Sequence, residues 1–289
     1  MTQDLSQHRH ISFTAHYTGY IWYSMGISHP VFATSKGKFL AKVLHPLESW
    51  AEKHVGGSMR TTLKQRHSII DDQLTQLIQQ HPDLQILEIA CGLSPRSWNF
   101  RQKFPQITYR ELDLPDMAKI KTQALQKLDS EAPEVLTADI FTHDFEKIFH
   151  TFDSKRPLVI ISEGLINYFD KTLLNKLLQG MTEYGQDFTE LYYLTDIYPE
   201  PVKNKLANFI WSSSKLLKIM SRSSFTFHFI NPQQVQSFFS HAGFNTVDVI
   251  QPLSFSQKED TSNVIHFQNS EEHGGDLVWV IHASIKKQR

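Results

Sequence analysis

Cysteine is almost absent. Cys91 is the single one in 289 residues, which excludes an internal disulfide. Long apolar runs are missing as well. None reaches the roughly 18 residues of a membrane-spanning helix, and the opening MTQDLSQHRHISF lacks the apolar core of a secretory signal. Charge of one sign is also lacking, with 29 Lys and Arg against 30 Asp and Glu. Such balance gives no general attraction to nucleic acid. These absences predict a soluble, cytoplasmic chain with neither a membrane nor a nucleic-acid partner; they do not fix its oligomeric state. Fifteen histidines are more than usual. None falls in a ligand spacing: His8 and His10 sit near the terminus, and His266, His273 and His282 are scattered. No metal site is expected.

Glycine is scarce where a dinucleotide would require it. Residues 84–121 read LQILEIACGLSPRSWNFRQKFPQITYRELDLPDMAKIK. A buried strand (residues 86–90), a short turn ending in Gly92, a helix, and a second strand (residues 107–112) closing on Asp113 form a nucleotide-binding βαβ pattern. A carboxylate about 20 residues beyond the turn can accept from ribose hydroxyls. Pyrophosphate, however, demands the backbone donors of G-x-G-x-x-G. Here the turn is Ala90-Cys91-Gly92-Leu93-Ser94-Pro95, with one glycine and with Pro95 removing an N–H. The ligand implied carries a ribose and little or no phosphate, a description that S-adenosylmethionine fits.

The remaining pattern alternates. Residues 11–82 read as mostly helical, with Ile69, Ile70, Leu74, Leu77 and Ile78 at helical spacing before His81-Pro82. A helix is expected over 115–127, a third strand over 134–138 and a fourth over 158–162. Asp170 should cap a helix carrying Leu173, Leu174, Leu177, Leu178, Met181 and Tyr184. A fifth strand is expected over 188–194. After Asn231-Pro232 comes a helix stopped by Gly243, then strands over 246–250 and 277–284. Strands alternating with helices predict an α/β fold, a mostly parallel sheet covered on both faces. Ligands bind beyond the carboxyl ends of such strands, where Gly92, Asp113, Asp139 and Glu163 all fall. An amphipathic insertion over about 199–220 is a candidate lid.

Four segments resemble the leucine carboxyl methyltransferase family, a branch of the class I S-adenosylmethionine-dependent methyltransferases that also holds bacterial polyketide O-methyltransferases. Residues 65–71, QRHSIID, look like its R-x-x-x-I-D segment. Residues 88–93, EIACGL, look like E-L-G-A-G-L. Residues 111–115, ELDLP, with Lys121 following, look like E-x-D-x-P…K. Residues 162–169, SEGLINYF, look like A-E-G-x-x-x-Y-L. The match spans about a third of the chain. It implies a Rossmann-like seven-stranded domain over 83–289, an N-terminal helical extension or cap over 1–82, and S-adenosylmethionine as cofactor. Two departures stand out: Ala90 replaces a glycine of the turn, and Ser94-Pro95-Arg96 replaces an acidic-Thr-Arg tripeptide. Residues 13–20, FTAHYTGY, also have no lysine where protein-directed members carry a basic residue, which favours a small-molecule acceptor.

The resemblance assigns roles. Arg66 pairs with the methionine carboxylate of the cofactor, a geometry that suits a guanidinium. Gly92 admits the cofactor against the backbone, and Asp113 holds the ribose. Asp139 and Ile140 bracket the adenine. Glu163 approaches the amino end of the cofactor or orients the substrate, its bland alternative being a buried carboxylate bonded to backbone. Glu88 is counted with this set, fixing the turn from beneath. Tyr17, Tyr20, Trp22, Tyr168 and Tyr198 are candidate walls of a substrate pocket. A carboxylate acceptor needs no base; for a hydroxyl, His16 or His228 could serve. The activity implied is O-methylation of a carboxylate or hydroxyl. A non-catalytic methyltransferase-like binding protein and a nicotinamide-dependent oxidoreductase are the alternatives.

Overall fold

The computed structural model describes residues 11–55, 59–200, 225–252, 255 and 277–287. The expected lid over 199–220 lies almost wholly outside them. Three helices come first: α1 (Ile11–Ser24), α2 (Ser35–Val55) and α3 (Met59–Gln80). α2 runs through Pro46, whose ring lacks the N–H that a helix interior uses. On α3 the apolar positions Ile69, Ile70, Leu74, Leu77 and Ile78 are all buried. α3 ends two residues before Pro82, because the residue before a proline disfavours helical ψ.

A sheet follows. Its strands are β1 (Gln85–Ile89), β2 (Thr108–Asp113), β3 (Leu136–Thr137), β4 (Leu158–Ile161), β5 (Glu190–Ile197), β6 (Thr246–Ile250) and β7 (Trp279–Lys286). The order is β3-β2-β1-β4-β5-β7-β6. β3 to β5 are parallel, and β7 runs antiparallel between β5 and β6. The connecting helices are α4 (Arg96–Lys103), α5 (Pro115–Gln126), α6 (His143–Phe149), α7 (Lys171–Tyr184) and α8 (Pro232–His241).

Alternation along the strands divides the core in two. Leu87, Ile89, Ile160, Tyr193 and Ile281 pack with Leu174, Leu177 and Leu178 of α7 and Val235 and Phe239 of α8. Ile86, Tyr109, Val159, Ile161, Leu194 and Val280 pack with the apolar face of α3. Each such side chain, fully buried, contributes about 1.5–3 kcal/mol of transfer free energy. Caps fix the helix starts. The Asp170 carboxylate accepts from the Leu173 N–H at 2.8 Å, and Asn231 accepts from Gln234 at 2.9 Å, each worth about 1 kcal/mol.

Differences from the expected elements have local causes. β3 holds two residues instead of five, since it meets β2 only at Leu112 and Asp113. β5 and β7 each extend to residues 197 and 286, because they pair with one another over eight positions. That ladder draws in Thr195 and Asp196, which the apolar pattern left out. α6 was not expected; it is seven residues long, anchored by the buried Phe145 and Phe149 with Ile148 packed beside them.

Candidate functional site

The β1–β2 register brings together two groups 21 residues apart. Ile89 stands opposite Leu112, so the turn after β1 meets the end of β2. The Gly92 N–H donates to Asp113 Oδ2 at 2.7 Å, and the Leu114 N–H donates to Oδ1 at 2.7 Å. Each carboxylate oxygen keeps acceptor capacity for a further donor. Burial pushes the Asp113 carboxyl from 3.8 to about 6, against the pull of these two backbone donors. Ala90 and Gly92 both take left-handed φ, +49° and +50°. Ala90 thus holds a conformation that favours glycine, at a cost of about 1–2 kcal/mol.

α1 lies on this turn. A methyl group built on Gly92 would come 3.1 Å from the Ala15 Cβ, and one on Gly19 would come 2.7 Å from the Leu93 Cβ. Beneath the turn Lys121 is fully buried. Its ammonium pairs with Glu111 at 3.0 Å, donates to the Ser94 carbonyl and lies 5.0 Å from the Phe32 ring. Cys91 is buried, and burial pushes its thiol well up, so no thiolate nucleophile forms there.

Beside the turn is a buried ionic network. Arg66 Nε donates to Glu163 Oε1 at 3.0 Å; its Nη1 donates to Asp196 Oδ2 at 3.0 Å and to the Tyr198 hydroxyl at 3.2 Å. Its Nη2 lies against the Cα of Gly164, where a methyl group would approach to 2.7 Å. Gly164, at φ +71°, spares that clash and donates its N–H to Asp196 Oδ1 at 2.6 Å. Arg96 has no exposed surface. It donates to Asp71 Oδ1 at 2.6 Å, to Glu88 Oε1 at 3.1 Å and to Glu163 Oε2 at 2.6 Å. His67 reaches the same Glu163 oxygen at 2.9 Å, with the Trp22 ring 5.3 Å away. Burial works to raise the Glu163 carboxyl, yet His67, Arg96 and Arg66 hold it well below the usual carboxylate range.

Several expected roles change accordingly. Both Glu163 oxygens are spent on side-chain cations, and its side chain is 3% exposed. It therefore holds Arg66 and Arg96 in place, and its partners are side chains, not backbone. Glu88 is 1% exposed. Arg96 and the Tyr109 hydroxyl, at 2.9 Å, enclose it, so it keeps its expected place beneath the turn, bonded to side chains on both oxygens. Tyr17 is fully buried among the N-terminal helices, its hydroxyl on Glu48; it is core, not pocket wall. Tyr198 is likewise buried, bonding Thr62 at 3.0 Å as well as Arg66. Tyr20 is half-buried, 6.1 Å from the Tyr23 ring, on a face of α1 turned from the glycine turn.

Other residues keep a place at the sheet edge. Tyr168 is half-buried, 5.7 Å from Phe225; burial raises its phenol, opposed by a hydrogen bond with Thr14 of α1. Asp139 spends one oxygen on the Phe141 N–H at 2.9 Å, and Ile140 packs half-buried on the core. Burial lowers the pKa of His228, against the Ile166 and Phe169 carbonyls. Burial and Lys36 lower that of His16, whose Nδ1 lies 3.0 Å from the Thr34 hydroxyl. Sequence reasoning missed His67, Asp71, Arg96 and Asp196 as functional partners. The signal for two of them was the i, i+4 spacing of His67 and Asp71 on α3, whose side chains stand 3.5 Å apart.

A family model for leucine carboxyl methyltransferase matches residues 30–182. The tetracenomycin polyketide synthesis O-methyltransferase of Streptomyces glaucescens is 27% identical over 100 residues, 34% of each chain. An S-adenosyl-L-methionine-dependent methyltransferase of Gibberella zeae is 22% identical over 174 residues, 60% of this chain and 57% of that one. This chain thus spans 34% and 57% of the length of these two relatives. In three dimensions it is similar to a Thermobifida fusca protein described as a methyltransferase. The TM-score is 0.61 at 12% identity, over 93% of this chain and 94% of that one. The fold is the Rossmann-like α/β fold of the class I methyltransferases.

Proposed function

The chain belongs to the leucine carboxyl methyltransferase family, and on that premise we propose that it is an S-adenosylmethionine-dependent O-methyltransferase acting on a carboxylate or hydroxyl of a small molecule. The observation that carries this reading is the Gly92–Asp113 pairing at the β1–β2 edge, in a turn without a phosphate cradle. The residues fit such a cofactor. The Asp113 carboxylate retains acceptor capacity for a ribose diol. Arg66 is held in one orientation by Glu163, Asp196 and Tyr198, which suits it to a carboxylate. Asp139 and Ile140 supply an acceptor and an apolar surface for adenine.

When bound, the cofactor supplies a methyl group on a sulfonium, so the protein's part is alignment and exclusion of water. α1 contributes both, packing on Gly92 through Ala15 and reaching Tyr168 through Thr14. A carboxylate acceptor is ionised near neutral pH and needs no proton transfer. For a hydroxyl acceptor the lowered pKa values of His228 and His16 leave each imidazole neutral and able to take a proton. A small-molecule acceptor accords with the absence of a lysine from positions 13–20. No helix among the described residues is long and apolar enough to cross a membrane; a cytoplasmic place completes the reading.

The altered turn was the reason to consider a non-catalytic binding protein. Ala90 takes a left-handed φ of +49°, a conformation that glycine adopts freely, which supports a turn of ordinary shape despite the replacement. The test is a melting curve paired with a transfer assay. S-adenosylhomocysteine should raise the melting temperature and NAD should not, and tritium from labelled S-adenosylmethionine should pass to a component of cell extract. Stabilisation by NAD alone would overturn the reading, and cofactor binding without any transfer would leave a binding protein.

A further inference from the structure

A second cleft lies on another face of α1. It has a volume of about 420 Å³ and opens between α1, α2 and the start of α3, with Ile21, Lys38, Ala41, Lys42, Glu48 and Arg60 in its lining. Its floor is apolar, since Ile21 and Ala41 are buried. Its rim is cationic, since Lys38, Lys42 and Arg60 are exposed. Arg60 is also tethered: its Nη2 donates to Ser24 Oγ at 2.8 Å, which ties α3 to α1 and fixes one positive charge at the mouth. The carboxylate in the lining, Glu48, accepts the hydroxyl of the fully buried Tyr17. Charge on the cleft is therefore positive and unevenly matched, three cations against one carboxylate whose oxygen is already engaged.

This cleft is distinct from the cofactor edge. The α1 residues at that edge are Ala15 and Gly19; those in the cleft are Tyr20, Ile21 and Ser24, well round the helix. An apolar floor beneath a cationic rim, one of whose charges is fixed, selects a ligand with two parts. A bare inorganic anion would leave the floor wet, and a neutral hydrocarbon would leave the cations unanswered. The volume is that of a small-molecule pocket. We propose that the cleft between α1, α2 and α3 is a separate binding site for a small organic anion, a carboxylate on an apolar body about the size of two fused rings.

The experiment is calorimetric titration of the full chain, saturated with S-adenosylhomocysteine, using 2-naphthoate and its neutral isostere 2-naphthamide. Expected is saturable binding of one naphthoate per chain, weakened by added salt, with the amide far weaker. Lys42→Gln combined with Arg60→Gln removes two rim charges from exposed positions. The pair should lower naphthoate affinity by about tenfold or more, with S-adenosylhomocysteine affinity unchanged. Four results overturn the proposal: no saturable binding, equal binding of the amide, unchanged affinity in the double variant, or competition between naphthoate and S-adenosylhomocysteine.

Discussion

Ala15 of α1 fills the space that a side chain at Gly92 would need. A Cβ built on that glycine falls 3.1 Å from the Ala15 Cβ, and the glycine backbone sits at φ +50°. Two separate demands, a left-handed backbone and a close helix, thus converge on one position. Gly92→Ala should destabilise the protein by about 1–3 kcal/mol, read by urea unfolding. Ala15→Gly in the same background should recover part of the loss, since it opens space but leaves the backbone strain. If the Gly92→Ala protein unfolds at the wild-type midpoint, α1 is not seated on the turn.

Asp113 should be the residue on which cofactor binding depends most. Asp113→Ala removes two charge-assisted hydrogen bonds to the ribose and should weaken S-adenosylhomocysteine binding by about 2–4 kcal/mol. The wild-type carboxyl titrates at about 6 in the folded protein against 3.8 as its ordinary value. Between these values the folded form holds a proton that the unfolded form has lost, so this group's contribution to stability falls as pH rises from about 4 to 6. Cofactor affinity should move the other way, rising through pH 6 as the carboxylate ionises. Titration calorimetry at pH 5, 6 and 7 checks this; an equally steep rise in Asp113→Asn would assign the effect elsewhere.

Arg96 is the most heavily committed side chain in the network, with Asp71, Glu88 and Glu163 on its three nitrogens. Arg96→Leu leaves buried carboxylates without their cation and should cost about 3–5 kcal/mol. Arg96→Lys should recover little, because an ammonium cannot reach three divergent acceptors. Glu163 has a folded pKa below its ordinary 4.5, so its stabilising contribution is complete above about 4.5 and is lost as pH falls further. Acid unfolding should therefore be blunted in Glu163→Gln, which has no charge left to lose. Identical acid-unfolding profiles for the two proteins would refute that role.

At Ala90 the strain can be read directly. Ala90→Gly relieves the left-handed φ of +49° and adds freedom to the unfolded chain, so the two effects offset to within about 1 kcal/mol. Ala90→Val adds a β-branched side chain at that conformation and should cost more than about 2 kcal/mol. Thermal denaturation of the three proteins orders them, and a Val variant as stable as the Gly variant would contradict the turn geometry.

The sequence made some of this legible for definite reasons. β1, β6 and the cap at Asp170 rest on local pattern and local hydrogen bonds, and each was found where expected. Asp113 was legible because strand length and turn length together fix where a second strand must end. The ionic partners were not legible in the same way. Arg66 and Asp196 lie 130 residues apart, and no local rule ties a helix arginine to a carboxylate at the end of β5. Glu163 was legible at its strand end, but its bonds to side-chain cations were not, because its neighbours, Arg96 above all, come from a helix start that looked like a mere departure from a motif. Tyr17 was read as a wall because an aromatic stripe looks the same whether it lines a pocket or fills a core.

The antiparallel position of β7 bears on how the molecule is made. Among the described residues β6 pairs with β7 alone, and β7 follows both β5 and β6 in the chain. During translation β3, β2, β1, β4 and β5 can assemble as the ribosome releases them, but β6 must then wait as an unpaired segment. Until residues 279–286 emerge, the outer edge of β5 is also open to other chains. A stalled or prematurely ended nascent chain would therefore expose one specific β edge, and a chaperone that shields β5 at that moment would raise the yield of native protein.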